Sequence, residues 1–159
     1  YWAAPNKGQH PMSCVSWPAA EAYCGWVGRR LPTEAEWERA ARGTDGATFP
    51  WGNKRPNCQL ANYKGCGGST VPVKKSRANG KAPLHLAGNI AEWVADYYSS
   101  TYYRTGPSTD PKGPTTGRVR VIKGGSYQSA ARYIRGGHRR YAQIQHSSVA
   151  VGFRCAVSK

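Results

Sequence analysis

From Thr44 to Gly80 the chain is built of Gly, Pro, Asn and Lys, and the only apolar pieces are the short strings FPW (49–51) and VPV (71–73). A segment of that length without periodicity reads as irregular backbone, so the fold must be one that clamps a long loop region in place. Composition alone would leave it disordered, were it not for Phe49, Trp51 and the cysteines Cys58 and Cys66. A disulfide could close the short loop between these cysteines at a modest entropic gain, and a bound ion is a second means of stiffening the region.

The second constraint is the run RVRVIKGGSYQSAARYIRGGHRR, Arg118 to Arg140. Val119, Val121 and Ile122 form a short β-rich stretch, and Gly124-Gly125 end it with two residues free to adopt positive φ. Beyond that turn come Ser126, Tyr127, Gln128 and Ser129, then Arg132, Arg135, His138, Arg139 and Arg140. A strand therefore delivers a polar, cationic segment into a loop, the usual setting for a binding site. A solvated basic face is the competing reading.

The 159 residues suffice for one domain with a real core. Because aliphatic residues are few relative to aromatic ones, Trp and Tyr must carry much of the packing. Formal net charge is +15, and no Asp or Glu follows Asp110. This asymmetry favours an anionic partner: nucleic acid, acidic polysaccharide or an anionic membrane surface, with simple solubility as the alternative. No apolar run approaches the roughly 20 residues of a transmembrane helix, and no signal peptide opens the chain. Cys14, Cys24, Cys58, Cys66 and Cys155 show no repeated CxxC spacing, which argues against structural zinc and for disulfides, with one thiol left over. Disulfides imply an oxidising compartment, extracellular or periplasmic.

Helix signals occur twice. Ser16 precedes Pro18 and AAEAYCGWVG, where Ala19, Ala22, Tyr23 and Trp26 follow the helical period, place Cys24 at the margin, and end at Gly28. Thr33 and Glu36 form a capping box opening a helix that ends at Arg42-Gly43, with Trp37, Ala40 and Ala41 inward. Glu34, Glu36 and Glu38 suit its dipole and read as structural. In LHLAGNIAEWVADYY, Gly88-Asn89 interrupts an amphipathic run, and Glu92 needs either an arginine partner or a hard cation. VAVGFRCAV closes the chain as a short buried β run.

Several strings in order, HPMSCVSW, GRRLPTEAEWERAARG, FPWGN, AGNIAEW, DPKGP, RVIKGGSY and GFRC, together resemble the formylglycine-generating enzyme, or sulfatase-modifying factor, family. The resemblance spans residues 10 to 156. It implies an α+β fold, a variant of the C-type lectin fold with two helices, short strands and much irregular backbone, over residues 1–159 as a single domain. The family's N-terminal region, which carries further strands, has no counterpart before His10. The expectations are that it has been removed, that a second chain supplies those strands, or that the sheet closes without them.

In the family's oxidase, two cysteines five residues apart follow the GGS(F/Y) string and bind copper. The matching positions here are Ser129 and Ile134, which offer copper(I) no soft ligand, so no copper is expected. The GLYDM-type string reads APLHL, and the tryptophan of the NVWEW string is Ala91. The resemblance thus points to a non-catalytic ligand-binding module. Two alternatives are an oxidase that converts a sulfatase cysteine to formylglycine through other residues, and a structural subunit of a secreted complex.

The resemblance also implies pairings and sites. Cys24 should bridge Cys155 and Cys58 should bridge Cys66, leaving Cys14 as a buried, small apolar group. The family's calcium sites correspond to Glu92 with the carbonyls of Gly88 and Ile90, and to Asn62 with Tyr63; His85, where the family carries Asp or Asn, weakens the first. Ser129, Arg132, Tyr133, Arg135, His138, Arg139 and Tyr141 should line or rim the cleft and hold an anionic ligand, a sulfated or acidic polysaccharide rather than nucleic acid.

Overall fold

The centre of the fold is β1 (Ala91–Tyr97), a strand buried on both faces although its sequence reads as an interrupted amphipathic run. Its neighbours explain the difference, for it is flanked on both edges. In the computed structural model, which describes residues 7–75 and 84–157, the sheet order is β3-β2-β1-β4. β2 (Val119–Lys123) pairs antiparallel with β1 and with β3 (Arg140–Gln143), while β4 (Val151–Phe153) lies parallel to β1. With α1 (Trp17–Trp26), α2 (Glu34–Arg42) and the short α3 (Tyr102–Thr105), this is the expected α+β fold.

Alternation along the strands divides the core between the two helices. Ala91, Trp93, Ile122 and Val151 pack with Trp17, Ala20, Cys24 and Leu31 on the α1 side. Val94 and Val121 pack with Trp37, Ala41 and Leu86 on the α2 side. A third cluster, Phe49, Ala61, Ala87 and Ile134, with Trp51 and Tyr63 against it, anchors the loop region. Aromatic residues carry this core and satisfy their polar atoms there: Trp17 Nε1 donates to Val94 O at 2.8 Å and Trp93 Nε1 to Val15 O at 3.0 Å.

Helix α1 buries a different face from the one its periodicity suggested. Trp17, Ala20 and Cys24 point inward, whereas Tyr23 and Trp26 are 50% and 80% exposed. The reason is covalent as well as hydrophobic, because Cys24 is fully buried in a disulfide to Cys155, beyond β4, and this fixes the helix's rotation. Cys58 and Cys66 form the second bridge. Cys14 is the free thiol as expected, but it is exposed rather than buried. Its φ of 58° turns the side chain out while its amide donates to Ser148 O.

Helix α2 begins with the expected capping box, and Glu36 also takes a two-pronged contact from Arg30 at 2.6 and 2.7 Å. The Arg30 guanidinium holds the Glu36 carboxyl down at about 2, against some desolvation. Asp96, on β1, closes the same helix end by accepting from Glu34 N at 2.7 Å, while its Oδ1 is buried without a partner. Burial raises the Asp96 carboxyl from 3.8 to about 6; the Glu34 amide opposes this, and the Glu34 charge adds to it.

A carboxyl whose folded-state value is raised makes the native state bind more protons than the unfolded chain. Its contribution is fully present below about pH 4 and is lost as pH rises through about 6. An Asp96→Asn variant is therefore expected to gain stability relative to the parent across that interval, read as the difference between their unfolding free energies. Parallel curves would show that Asp96 remains ionised throughout.

Candidate ligand-binding site

The turn after β2 requires both of its glycines. Gly124 and Gly125 have φ of 84° and 63°, and a Cβ on Gly124 would lie 2.9 Å from the Trp37 ring. A Cβ on Gly125 would lie 2.7 Å from Tyr133 O. Two packed elements thus meet this backbone at closest approach, and the chain beyond it is held as a rigid loop. Ser129 stabilises the loop from within: its Oγ accepts from Ser126 N at 2.9 Å and its N–H donates to Ser126 O at 2.9 Å. Lys64 N donates to Ser129 O at 3.0 Å, which ties the Cys58–Cys66 loop to the same point.

This loop and β3 enclose an open cavity of about 810 Å³. Ser129, Arg132, Tyr133, His138, Arg139 and Tyr141 all line it, so the structure brings together six of the residues expected at the cleft. Arg135 is not in the lining; its Nε donates to Arg132 O at 2.9 Å, and its role is to brace the 3-10 turn Ala131–Tyr133. Lys64 and Arg140 complete the cationic part of the lining, which also includes His146 and, among the described residues, no carboxylate. Arg140 belongs to the basic run visible in the sequence. Lys64 arrives only through the tertiary fold.

The lining cations are of two kinds. Arg139 donates to both Glu34 oxygens, at 2.6 and 2.9 Å, and to Ser99 O at 2.8 Å, with its guanidinium over the rings of Tyr98 and Tyr103. Its head group is committed to the fold, a correction to its expected role as an anion fork. Lys64, Arg132 and Arg140 have no ion pair among the described residues, and all three are exposed. Arg132 lies over the Tyr133 ring at 4.5 Å, which orients its fork. Burial, then the charges of Arg135, Lys123 and Arg140, pushes the His138 imidazole below its ordinary value.

Ser129 and Ile134 now have definite environments. Ile134 is fully buried against Phe49, Ala61 and Ala87, an apolar prop beneath the loop. The Ser129 hydroxyl lies within the loop's own hydrogen bonds, and no hydrogen bond joins it to His138 among the described residues. A nucleophilic serine is activated through such a bond to a base.

Glu92 resolves to the ion pair among its two alternatives. Arg154 donates to both of its oxygens at 2.6 Å, and Trp37 Nε1 donates at 2.7 Å. A guanidinium across both oxygens occupies the place of a cation, so the set Gly88, Ile90 and Glu92 does not fit calcium as folded. Asn62 keeps a buried Oδ1 without a hydrogen bond, while its Nδ2 donates to Ser69 O and its carbonyl accepts from Asn89 N. No group of three or more His, Cys, Asp or Glu side chains suited to a metal occurs among the described residues. Among those residues, too, no helix is long and apolar enough to cross a membrane.

A family model described as the sulfatase-modifying factor enzyme 1-like domain matches residues 3–159. Similar curated proteins include the formylglycine-generating enzyme of Streptomyces coelicolor, 43% identical over 95% of this chain, and that of Thermomonospora curvata, 40% identical over 98%. The chain spans 54% and 61% of the length of those two relatives. Among solved structures, Treponema denticola variable protein 1 superposes with a TM-score of 0.80 at 24% identity, over 95% of this chain and 72% of that one, a likeness of fold.

Proposed function

The chain belongs to the sulfatase-modifying factor enzyme 1-like family, and from that membership and the make-up of its cleft we propose that it is a non-catalytic, anion-binding member. The observation that carries the reading is the cavity wall: among the described residues, Lys64, Arg132 and Arg140 line it without an ion pair and no carboxylate lines it. Arginine forks bind sulfate, phosphate and carboxylate through paired, charge-assisted hydrogen bonds, and Tyr133 and Tyr141 add flat faces beside them. The oxidase resemblance weighs on the same side, because the two positions matching its copper cysteines hold a hydroxyl tied into its own loop and a buried alkyl group. The two disulfides suit an oxidising compartment, where acidic and sulfated polysaccharides are available as ligands.

The test separates a site from diffuse charge. Changing Arg132 and Arg140 together to Ala is expected to abolish retention on a sulfated polysaccharide at physiological salt. Changing Lys74 and Lys75, which are exposed and outside the cavity lining, should only move the salt concentration of elution, because screening acts over roughly 8 Å at that ionic strength. Equal losses from the two pairs would mean a nonspecific basic surface. Oxygen consumption with a sulfatase-type cysteine peptide and copper(I) is expected to stay at background, and turnover would return the chain to the oxidases.

A further inference from the structure

We infer that the ligand is an extended acidic polysaccharide with one carboxylate per disaccharide, which runs from this cavity across a tyrosine ridge into a second cavity beside α2. The inference rests on the anion-binding reading above and extends it to the ligand's length and class. The second cavity measures about 290 Å³ and is walled by Glu38, Arg39, Arg42, Thr44 and Tyr103. Arg139 joins the two: it lines the first cavity, and its guanidinium lies over Tyr103, which lines the second, at 5.1 Å. Tyr141, on the rim of the first cavity, packs on Tyr98 at 4.2 Å, and Tyr98 also lies against the Arg139 guanidinium. Tyr141, Tyr98, the Arg139 guanidinium and Tyr103 therefore form one ridge, with Tyr141 56% and Tyr103 48% exposed at its two ends.

The charge along this path is uneven. On the ridge the Arg139 charge is neutralised by Glu34, and in the second cavity the Arg42 charge is met by Glu38. The free cations stand at the two ends, Lys64, Arg132 and Arg140 in the first cavity and Arg39 in the second, each exposed and without an ion pair among the described residues. A nucleic acid strand carries a phosphate at every nucleotide and is tracked by a continuous positive groove, which this neutral stretch interrupts. A polysaccharide with a single carboxylate in each disaccharide fits the alternation, since its uncharged sugar faces stack on the phenol rings while its widely spaced acidic groups meet the basic ends. Engaging both ends of one molecule raises affinity with chain length, because the second contact becomes intramolecular.

The experiment is a titration of the full chain with hyaluronan-derived tetrasaccharide and dodecasaccharide, which carry one carboxylate per disaccharide, at physiological salt. The wild type should bind the dodecasaccharide about ten-fold or more tightly than the tetrasaccharide. Arg39→Ala and, separately, Tyr103→Ala should reduce dodecasaccharide affinity to that of the tetrasaccharide on wild type. The arginine is exposed on the outer side of α2, so its loss leaves the fold intact even where the tyrosine change disturbs α3.

Affinity independent of length, or dodecasaccharide binding that survives R39A and Y103A but falls in the Arg132, Arg140 double variant, would overturn the extended path and leave the first cavity standing. Binding of both oligosaccharides unaffected by the double variant would overturn both readings, and binding of neither by wild type would overturn the extended path and leave the retention test above to decide the first cavity. A single-stranded oligonucleotide that binds as tightly as the dodecasaccharide, with the same dependence on Tyr103, would overturn the polysaccharide assignment in favour of nucleic acid.

Discussion

Replacing Cys24 and Cys155 together by alanine is expected to lower the unfolding free energy by about 5 kcal/mol. The bridge joins residues separated by 131 positions, so it constrains nearly the whole unfolded chain. In the chain-entropy account the stabilisation grows with the logarithm of loop length. The same reasoning gives about 2.5 kcal/mol for Cys58–Cys66, whose separation is 8. The long bridge also fixes the rotation of α1 against β4, so its loss should loosen the packing of Trp17 and Ala20 as well. Against a total of about 5–15 kcal/mol for an ordinary domain, the double variant should be near its threshold of folding. Denaturant titration of the two double variants ranks them, and a larger loss from Cys58 and Cys66 would contradict this account.

Glu34→Gln is expected to destabilise the fold by about 3–5 kcal/mol, with no direct contact to any ligand. Glu34 is 1% exposed and receives Arg139 on both oxygens, with the fully buried Lys123 ammonium 3.5 Å away. Removing its charge leaves Arg139 against an amide that presents a donor to a donor, and leaves Lys123 with Glu38 alone. An uncompensated buried cation is the costly outcome, more so than the loss of attraction itself. Lys123→Met is the comparison, because it removes the ammonium and leaves Glu34 with Arg139 and Glu38 with Arg42. It should cost clearly less in the same denaturant titration. A Lys123→Met loss equal to or above that of Glu34→Gln would place the hub of the network elsewhere.

Much of this molecule is settled by local chemistry. Thr33 and Glu36 open α2 because a hydroxyl and a carboxylate three residues apart satisfy two helix-end amides wherever that helix forms. Gly124 and Gly125 turn the chain because only glycine enters that conformation beside a ring and a carbonyl. The basic run after β2 reaches the cavity because the strand and its turn aim it there, and six of the cleft residues were legible for that reason. The ordered strings carried the family and, with it, both disulfides.

Other features depend on contacts between residues far apart in the chain, which no local pattern encodes. Periodicity put Ala19, Ala22, Tyr23 and Trp26 on the inner face of α1, whereas the bridge from Cys24 to a partner 131 residues away turns Trp17, Ala20 and Cys24 inward instead. Arg139 and Arg140 are neighbours of the same type, yet Glu34, 105 positions from Arg139, takes one as an internal counterion and leaves the other free. Glu92 called for either an arginine or a cation, and Arg154, 62 positions on, covers both of its oxygens. What a charged side chain can do depends on what neutralises it, and in this protein the neutralising groups come from distant segments, so the tertiary structure alone separates the arginines that hold the fold from those left free at the cavity.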